Sequence, residues 1–188
     1  MKIRNRYFWM VAIVSTIIDI LTKQEIVRMF DLNNKQEIVR FFSITLQQAI
    51  IYSPIPNPQK IPPTLPLIPN VFHFTYIRNS GAAFSFLEGH GGGWLAFFSL
   101  LVSTILIVIG ITKTFGNIWE QLGFGLILAG AAGNGIDRLF FGGSVADFID
   151  LRLIRFAIFN WADISINLGI ACLLIYNLIL LPRQAKFR

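Results

Sequence analysis

Four stretches of this chain, residues 7–22, 94–112, 119–140 and 162–181, are rich enough in apolar residues to cross a lipid bilayer. A hydrocarbon core about 30 Å thick takes roughly 20 helical residues to span. A chain that is 54% hydrophobic and 14% charged also falls outside the usual composition of a water-soluble domain. Lipid is therefore the expected solvent, and the expected fold is an all-α integral membrane protein with four transmembrane helices. The first stretch is short and carries Asp19, with Arg6 and Lys23 placed to snorkel at its two ends. Trp94, Trp119 and Trp161 stand at the starts of the other three, where an indole prefers the headgroup level. No small-residue cleavage site follows the first stretch, so it reads as a span and not as a signal peptide.

Charge sets the expected orientation. The pieces before the first stretch, between the second and third, and after the fourth hold Lys2, Arg4, Arg6, Lys113, Arg183, Lys186 and Arg188 against the single acid Glu120. The complementary pieces, 23–93 and 141–161 with the adjoining span ends, are nearly balanced in sign. By the positive-inside rule both termini are cytoplasmic. The net charge of +6 thus reads as leaflet orientation, since the basic residues are scattered or terminal and form no aromatic-interleaved patch for nucleic acid. Cys172, the only cysteine, allows no internal disulfide and reads as a helix-packing thiol.

Between the first two stretches, KQEIVRMF at 23–30 is nearly repeated as KQEIVRFF at 35–42. Each unit could lie on the membrane surface as a short amphipathic helix. Seven of the eight prolines then fall between Pro54 and Pro69, a composition expected to form a stiff linker and not a packed unit. Short runs of β-branched and aromatic residues over 71–86 and 143–159 predict strands lying across the outer helix ends.

The polar residues of the spans gather at one end. Asp19 and Lys23 lie on the first, Asn134, Asp137 and Arg138 on the third, and Asn160 and Asp163 open the fourth. A charged group at the centre of a span costs about 2.5–3.5 kcal/mol on insertion scales, so its presence asks for a function or a partner. Asp19 with Lys23, and Asn134 with Arg138, are four apart and share a helix face. The first pair reads equally as a structural ion pair or as part of a site. Arg138 offers a five-donor guanidinium suited to a peptide carbonyl or a phosphate, whereas Asp137 is expected to pair with a neighbour. Asp147 and Asp163 are embedded among apolar residues, which leaves a carboxylate paired or shifted in pKa. Two such groups sharing one proton could activate water and polarise a carbonyl. Alone, each also reads as a helix cap or a solvated loop residue, and Asp150 competes with Asp147 for any role. His73 and His90 lack metal-ligand spacing. A Ser-Lys dyad of Lys23 with Ser80 or Ser85 finds no support in spacing.

Five segments together carry a family likeness: DILTK at 19–23, RNSGAAFS at 78–85, GAAGNGIDRL at 130–139, VADFI at 145–149 and FNWAD at 159–163. In this order, on four spans, they resemble lipoprotein signal peptidase (signal peptidase II), a bacterial membrane aspartic peptidase. The resemblance implies a catalytic pair at Asp147 and Asp163. It places supporting or substrate-binding residues at Asp19, Lys23, Asn79, Asn134, Arg138 and Asn160. It further implies diacylglyceryl prolipoprotein substrates cut on the amino side of the lipidated cysteine, with no metal or organic cofactor and no nucleic-acid partner. It also implies a multi-pass monomer in the inner (plasma) membrane, surrounded by membrane lipid, with the site and a small β element at the outer face. One membrane-embedded peptidase domain would then run through 1–188, with 31–70 as a longer, proline-rich outer insertion than the family usually shows, acting on substrate access. The alternatives are a non-catalytic lipoprotein-binding subunit, which would be expected to lack one Asp, and a proton- or ion-coupled transporter, which would need polar groups through both leaflets.

Overall fold

The computed structural model describes residues 5–30, 62–81 and 92–182. In chain order these form helix α1 (Arg6–Phe30), strands β1 (Thr64–Ile68) and β2 (Phe72–Asn79), helices α2 (Gly92–Thr112) and α3 (Ile118–Phe140), strand β3 (Val145–Asp150), a 3-10 turn (Arg152–Ile154) and helix α4 (Trp161–Ile175). A π-helical turn (Tyr176–Leu180) continues α4. The second KQEIVR unit, Pro54, Pro56 and Pro58, Ser85 and His90 lie outside the described residues.

Helix α1 shows why the bundle forms. Its buried residues are Phe8, Ala12, Ser15, Asp19, Lys23 and Ile26, spaced by three or four so that they share one face. Met10, Ile13, Val14, Ile17 and Leu21 on the other sides are exposed. Ser15, Asp19 and Lys23 face inward while five large apolar residues face outward, the inverse of a helix in water. The helix runs straight through the first KQEIVR unit, so that unit is not a separate surface helix. Lys23 does not snorkel either: it is 3% exposed and turned into the bundle. Its ammonium finds carboxylates inside, which is a lower-energy solution than dragging the stem along the helix.

Helix α3 is central and packs against the other three helices. It starts with Asn117 accepting from the Glu120 N–H at 2.9 Å, while the Glu120 carboxylate accepts from Gly116 N–H at 3.0 Å. Small residues let its neighbours approach closely. A methyl group on Gly123 would sit 2.6 Å from the Leu173 side chain of α4, and one on Gly133 would collide with the Asp19 carboxylate of α1. At the opposite end of the bundle Phe8, Ala12, Leu106, Phe115 and Leu128 form an apolar cluster. There the Asn5 side chain donates to the Gly110 and Lys113 carbonyls and accepts from Phe115 N–H, which ties the start of α1 to the end of α2.

The sheet is antiparallel with order β1-β2-β3. β2 and β3 fall within the two runs expected to be strands but are shorter. After Asp150 the chain turns through Arg155, which has φ 49°, and returns so that Phe159 bridges to Ile149. β1 corrects the linker expectation for the last part of the proline run: Pro66 lies in an edge strand, opposite His73. Proline lacks an N–H, and an edge strand needs only half of its backbone groups to pair, so the residue is tolerated there. Thr64 Oγ1 within 2.7 Å of Thr75 Oγ1 fastens the strand to its neighbour.

Among the described residues two segments, 93–112 and 161–180, are long and apolar enough to cross a membrane by length and composition. α1 and α3 have 25 and 23 residues, but Asp19, Lys23, Asp137 and Arg138 dilute their apolar character. Gly133→Val should lower stability by about 1–3 kcal/mol through overpacking against Asp19. Unfolding of the purified protein in detergent measures this; an unchanged transition would show that α1 and α3 do not meet there.

Candidate active site

Backbone pairing holds two of the polar segments together. Phe148 N–H and Ile149 N–H both donate to the Phe159 carbonyl, at 3.0 and 2.8 Å, and Phe159 N–H donates back to Ile149 O at 3.2 Å. The next residue, Asn160, is thereby held beside β3 as the N-cap of α4. Its Oδ1 accepts from Asp163 N–H while its own N–H donates to Asp163 Oδ2, both at 3.1 Å, forming a reciprocal capping box. Its Nδ2 donates to Asp147 Oδ1 at 2.7 Å and to Asn134 Oδ1 at 3.0 Å. One fully buried asparagine therefore bridges Asp147 and Asp163.

Each carboxylate has a second support. Asn79, at the end of β2, donates to Asp147 Oδ2 at 2.8 Å, and its Oδ1 is fixed by Gly81 N–H at 2.9 Å. Asn134 Nδ2 donates to Asp163 Oδ1 at 2.9 Å. Lys23 stands behind Asn134, donating to its Oδ1 at 3.0 Å, and pairs with Asp19 at 2.7 Å and Asp137 at 3.5 Å. Asp19 also accepts from Ala162 N–H at 2.9 Å, and Asp137 from Ala146 N–H at 3.0 Å. The ion pair thus anchors the starts of both α4 and β3. Lys23 is fully engaged by these partners, which removes it from a Ser-Lys dyad with Ser80.

Burial pushes the Asp147 carboxyl up to about 7. The amides of Asn79 and Asn160 pull the other way by bonding the ionised form, the nearby charge of Asp163 adds to the rise, and Lys23 lowers it slightly. Asp150 behaves differently. Burial opposes its ionisation, but the Thr75 hydroxyl at 2.6 Å and Arg152 at 3.0 Å outweigh it and hold the group below the ordinary carboxylate range. Its partners lie away from Asp147 and Asp163, so it is a structural residue of the sheet.

Asp147, Asp163, Asn79 and Arg138 line one cleft of about 460 Å³ whose other wall is apolar, with Phe156, Ile158, Ile164 and Leu168. Arg138 Nη1 makes a long contact of 3.4 Å to Asn134 O, and its Nε is buried without a partner. The guanidinium therefore retains donor capacity beside the two carboxylates.

All eight expected site residues meet in this network. Sequence reasoning missed the dual role of Asn160, although an Asn-x-x-Asp pair opening an apolar run is a readable capping pattern. It also missed Ser15, which accepts from Trp161 Nε1 at 3.0 Å and lies 2.8 Å from Ser165 Oγ. The Trp161 indole is thus held by the bundle and does not serve only as a headgroup anchor. No local pattern marks Ser15 as a partner, because the contact spans 146 positions.

Lys23→Met should destabilise the fold by about 3–5 kcal/mol, because it leaves two buried carboxylates without their cation. In detergent unfolding, the double variant Lys23→Met/Asp19→Asn should lose less than the single one. Equal losses would mean that the pair is not coupled.

A family model described as signal peptidase (SPase) II matches residues 11–179. A lipoprotein signal peptidase of Microcystis aeruginosa is 46% identical over 172 residues, covering 92% of each chain. One of a Cyanothece strain is 46% identical over 176 residues, covering 93% of this chain and 85% of its own. Among solved structures, a bacterial membrane enzyme determined by the in meso method at 2.3 Å resolution superposes with a TM-score of 0.64 at 26% identity, covering 95% of this chain and 90% of the other. A second, at 1.9 Å resolution, gives 0.61 at 27% identity, with coverage of 90% and 91%. With a family match over most of its length and a membrane-enzyme fold around the paired aspartates, this chain is a membrane peptidase belonging to the signal peptidase II family.

Proposed function

We propose that the protein is an aspartic endopeptidase that removes signal peptides from diacylglyceryl-modified prolipoproteins, with Asp147 and Asp163 as its catalytic pair. The observation that carries this reading is the Asn160 bridge, which fixes two carboxylates at the rim of a cleft that is polar on one wall and apolar on the other. The apolar wall suits a lipidated cysteine and the polar wall its scissile peptide bond. The family relationship supports prolipoproteins as the substrate class.

In the proposed reaction Asp147 carries the shared proton, in keeping with its raised pKa, and Asp163 acts as the base. Asp163 takes a proton from water as the oxygen attacks the scissile carbonyl, and Asp147 protonates the carbonyl oxygen. Collapse of the tetrahedral intermediate then breaks the C–N bond: Asp163 gives its proton to the departing amine of the lipidated cysteine, and one hydroxyl of the diol returns its proton to Asp147 as it becomes the carbonyl oxygen. Each Asp147 oxygen accepts one amide N–H, which leaves room on one of them for the proton that faces the cleft. Arg138, with its spare donors, holds a carbonyl of the bound chain.

The four helices all cross the bilayer in this proposal, both termini are cytoplasmic, and the cleft opens at the outer face of the plasma membrane. The outward apolar face of α1 supports its span despite Asp19 and Lys23, whose charges are neutralised inside the bundle. Segment 31–70 acts on substrate access, with the qualification that its end, β1, is a strand of the sheet.

Purified protein incubated with a lipidated prolipoprotein should yield a new amino terminus at the lipidated cysteine, read by mass analysis; cleavage elsewhere would refute the assignment. Asp147→Asn and Asp163→Asn should each reduce turnover by roughly 10²–10⁴-fold or more with normal insertion, whereas Asp150→Asn should be mild. Asp147 is protonated below about pH 7 and ionised above it. Because the reaction needs that proton, kcat/KM should decline as pH rises through about 7; a profile flat to pH 9 would assign the proton elsewhere.

A further inference from the structure

Successive residues of a strand point to opposite sides of a sheet, so the β2–β3 pair has two working faces. Asn79, Val145 and Asp147 line the cleft described above. Arg78 and Ala146, opposite each other in the register, face a separate groove of about 390 Å³ between the second half of α1 and the last turns of α3. Ile20, Val27, Ile136 and Phe140 give this groove apolar walls.

Two arginines border it. Arg78 is exposed, donates from Nε to the Tyr76 hydroxyl at 2.8 Å, and lies 4.3 Å from the centre of the Phe141 ring. Among the described residues it has no carboxylate partner. Arg28 pairs with Glu25 at 2.7 Å, but both side chains are largely exposed, and such a pair holds its arginine weakly. Lys23 and Asp137 also border the groove but are already bound to each other and to their neighbours.

We propose that this groove holds one anionic phospholipid, its phosphate on Arg78 and Arg28 and an acyl chain along Ile20, Val27 and Ile136. A guanidinium fork matches phosphate oxygens, and the walls match hydrocarbon. A peptide would have to bury backbone polar groups against side chains that offer them few partners. Free phosphate would satisfy the arginines and leave the walls bare. The site lies on the opposite sheet face from Asp147 and does not depend on the peptidase reading.

The test uses the full chain in nanodiscs of mixed phosphatidylglycerol and phosphatidylcholine. Native mass spectrometry should find one phosphatidylglycerol retained in preference to phosphatidylcholine. Retention should weaken about fivefold for each of Arg28→Gln and Arg78→Gln, the worth of one basic residue beside an anionic bilayer, and weaken less for Arg78→Lys. Phosphatidylglycerol with a photoreactive acyl chain should label the Val27 or Ile136 peptides of the wild-type protein, a readout that holds even where a variant folds poorly. Equal retention of the two lipids, unaltered retention in the double glutamine variant, labelling confined to Ile164 and Leu168, or displacement by inorganic phosphate alone would each overturn the proposal.

Discussion

A lysine ammonium enclosed in a helix bundle is the constraint on which the rest of this structure depends. Lys23 is 3% exposed, and a buried charge is tolerated only when it is paired and hydrogen-bonded. Asp19 comes within reach through the pitch of α1 itself. Asp137 and Asn134 come from α3, three residues apart, so satisfying the ammonium fixes the rotation of α3 against α1. Gly133 makes the fit possible, because no side chain intervenes between α3 and Asp19.

From that ammonium the order propagates by hydrogen bonds. Asn134 has its oxygen occupied by Lys23 and Asn160 and its amide donating to Asp163, so it is left with one orientation. Asn160 is similarly used up between Asp163, Asn134 and Asp147. Buried amides tied through both oxygen and nitrogen specify one arrangement, whereas untied ones would be costly. The two aspartates are therefore held by groups that have no freedom to follow them, and the placement of both carboxylates is built into the packing of α1, α3 and α4.

The sheet adds what the helices lack. β2 and β3 fasten β1, with its Pro66, to the end of the bundle, and their alternation separates two grooves of different character. One has carboxylates along a polar wall; the other is apolar and bordered by arginines. Because Arg78 and Asn79 are neighbours on β2, and Ala146 and Asp147 on β3, the two grooves share a backbone while presenting opposite charge.

Much of this protein was legible in one dimension. Apolar stretches located the helices, because a run of such residues records the solvent it faces, and i,i+4 spacing placed Asp19 beside Lys23, because helix pitch is local. The five motifs contain the eight expected polar residues, and the structure brings these into one network. Local pattern failed in two instructive places. A proline-rich composition read as a linker, yet Thr64–Ile68 is an edge strand, since a strand at the sheet edge can leave the position of a missing N–H unpaired. A lysine at a span end read as free to snorkel, yet Lys23 turns inward, since its partners Asn134 and Asp137 lie more than a hundred positions away in the chain. The sequence by itself determined which groups must be paired, because burial of charge in an apolar chain leaves no alternative. Which groups pair with which, and that Asn160 joins both aspartates, only the tertiary structure decided, because hydrogen bonds between helices depend on their rotation and separation, and these are set by the packing of the whole bundle.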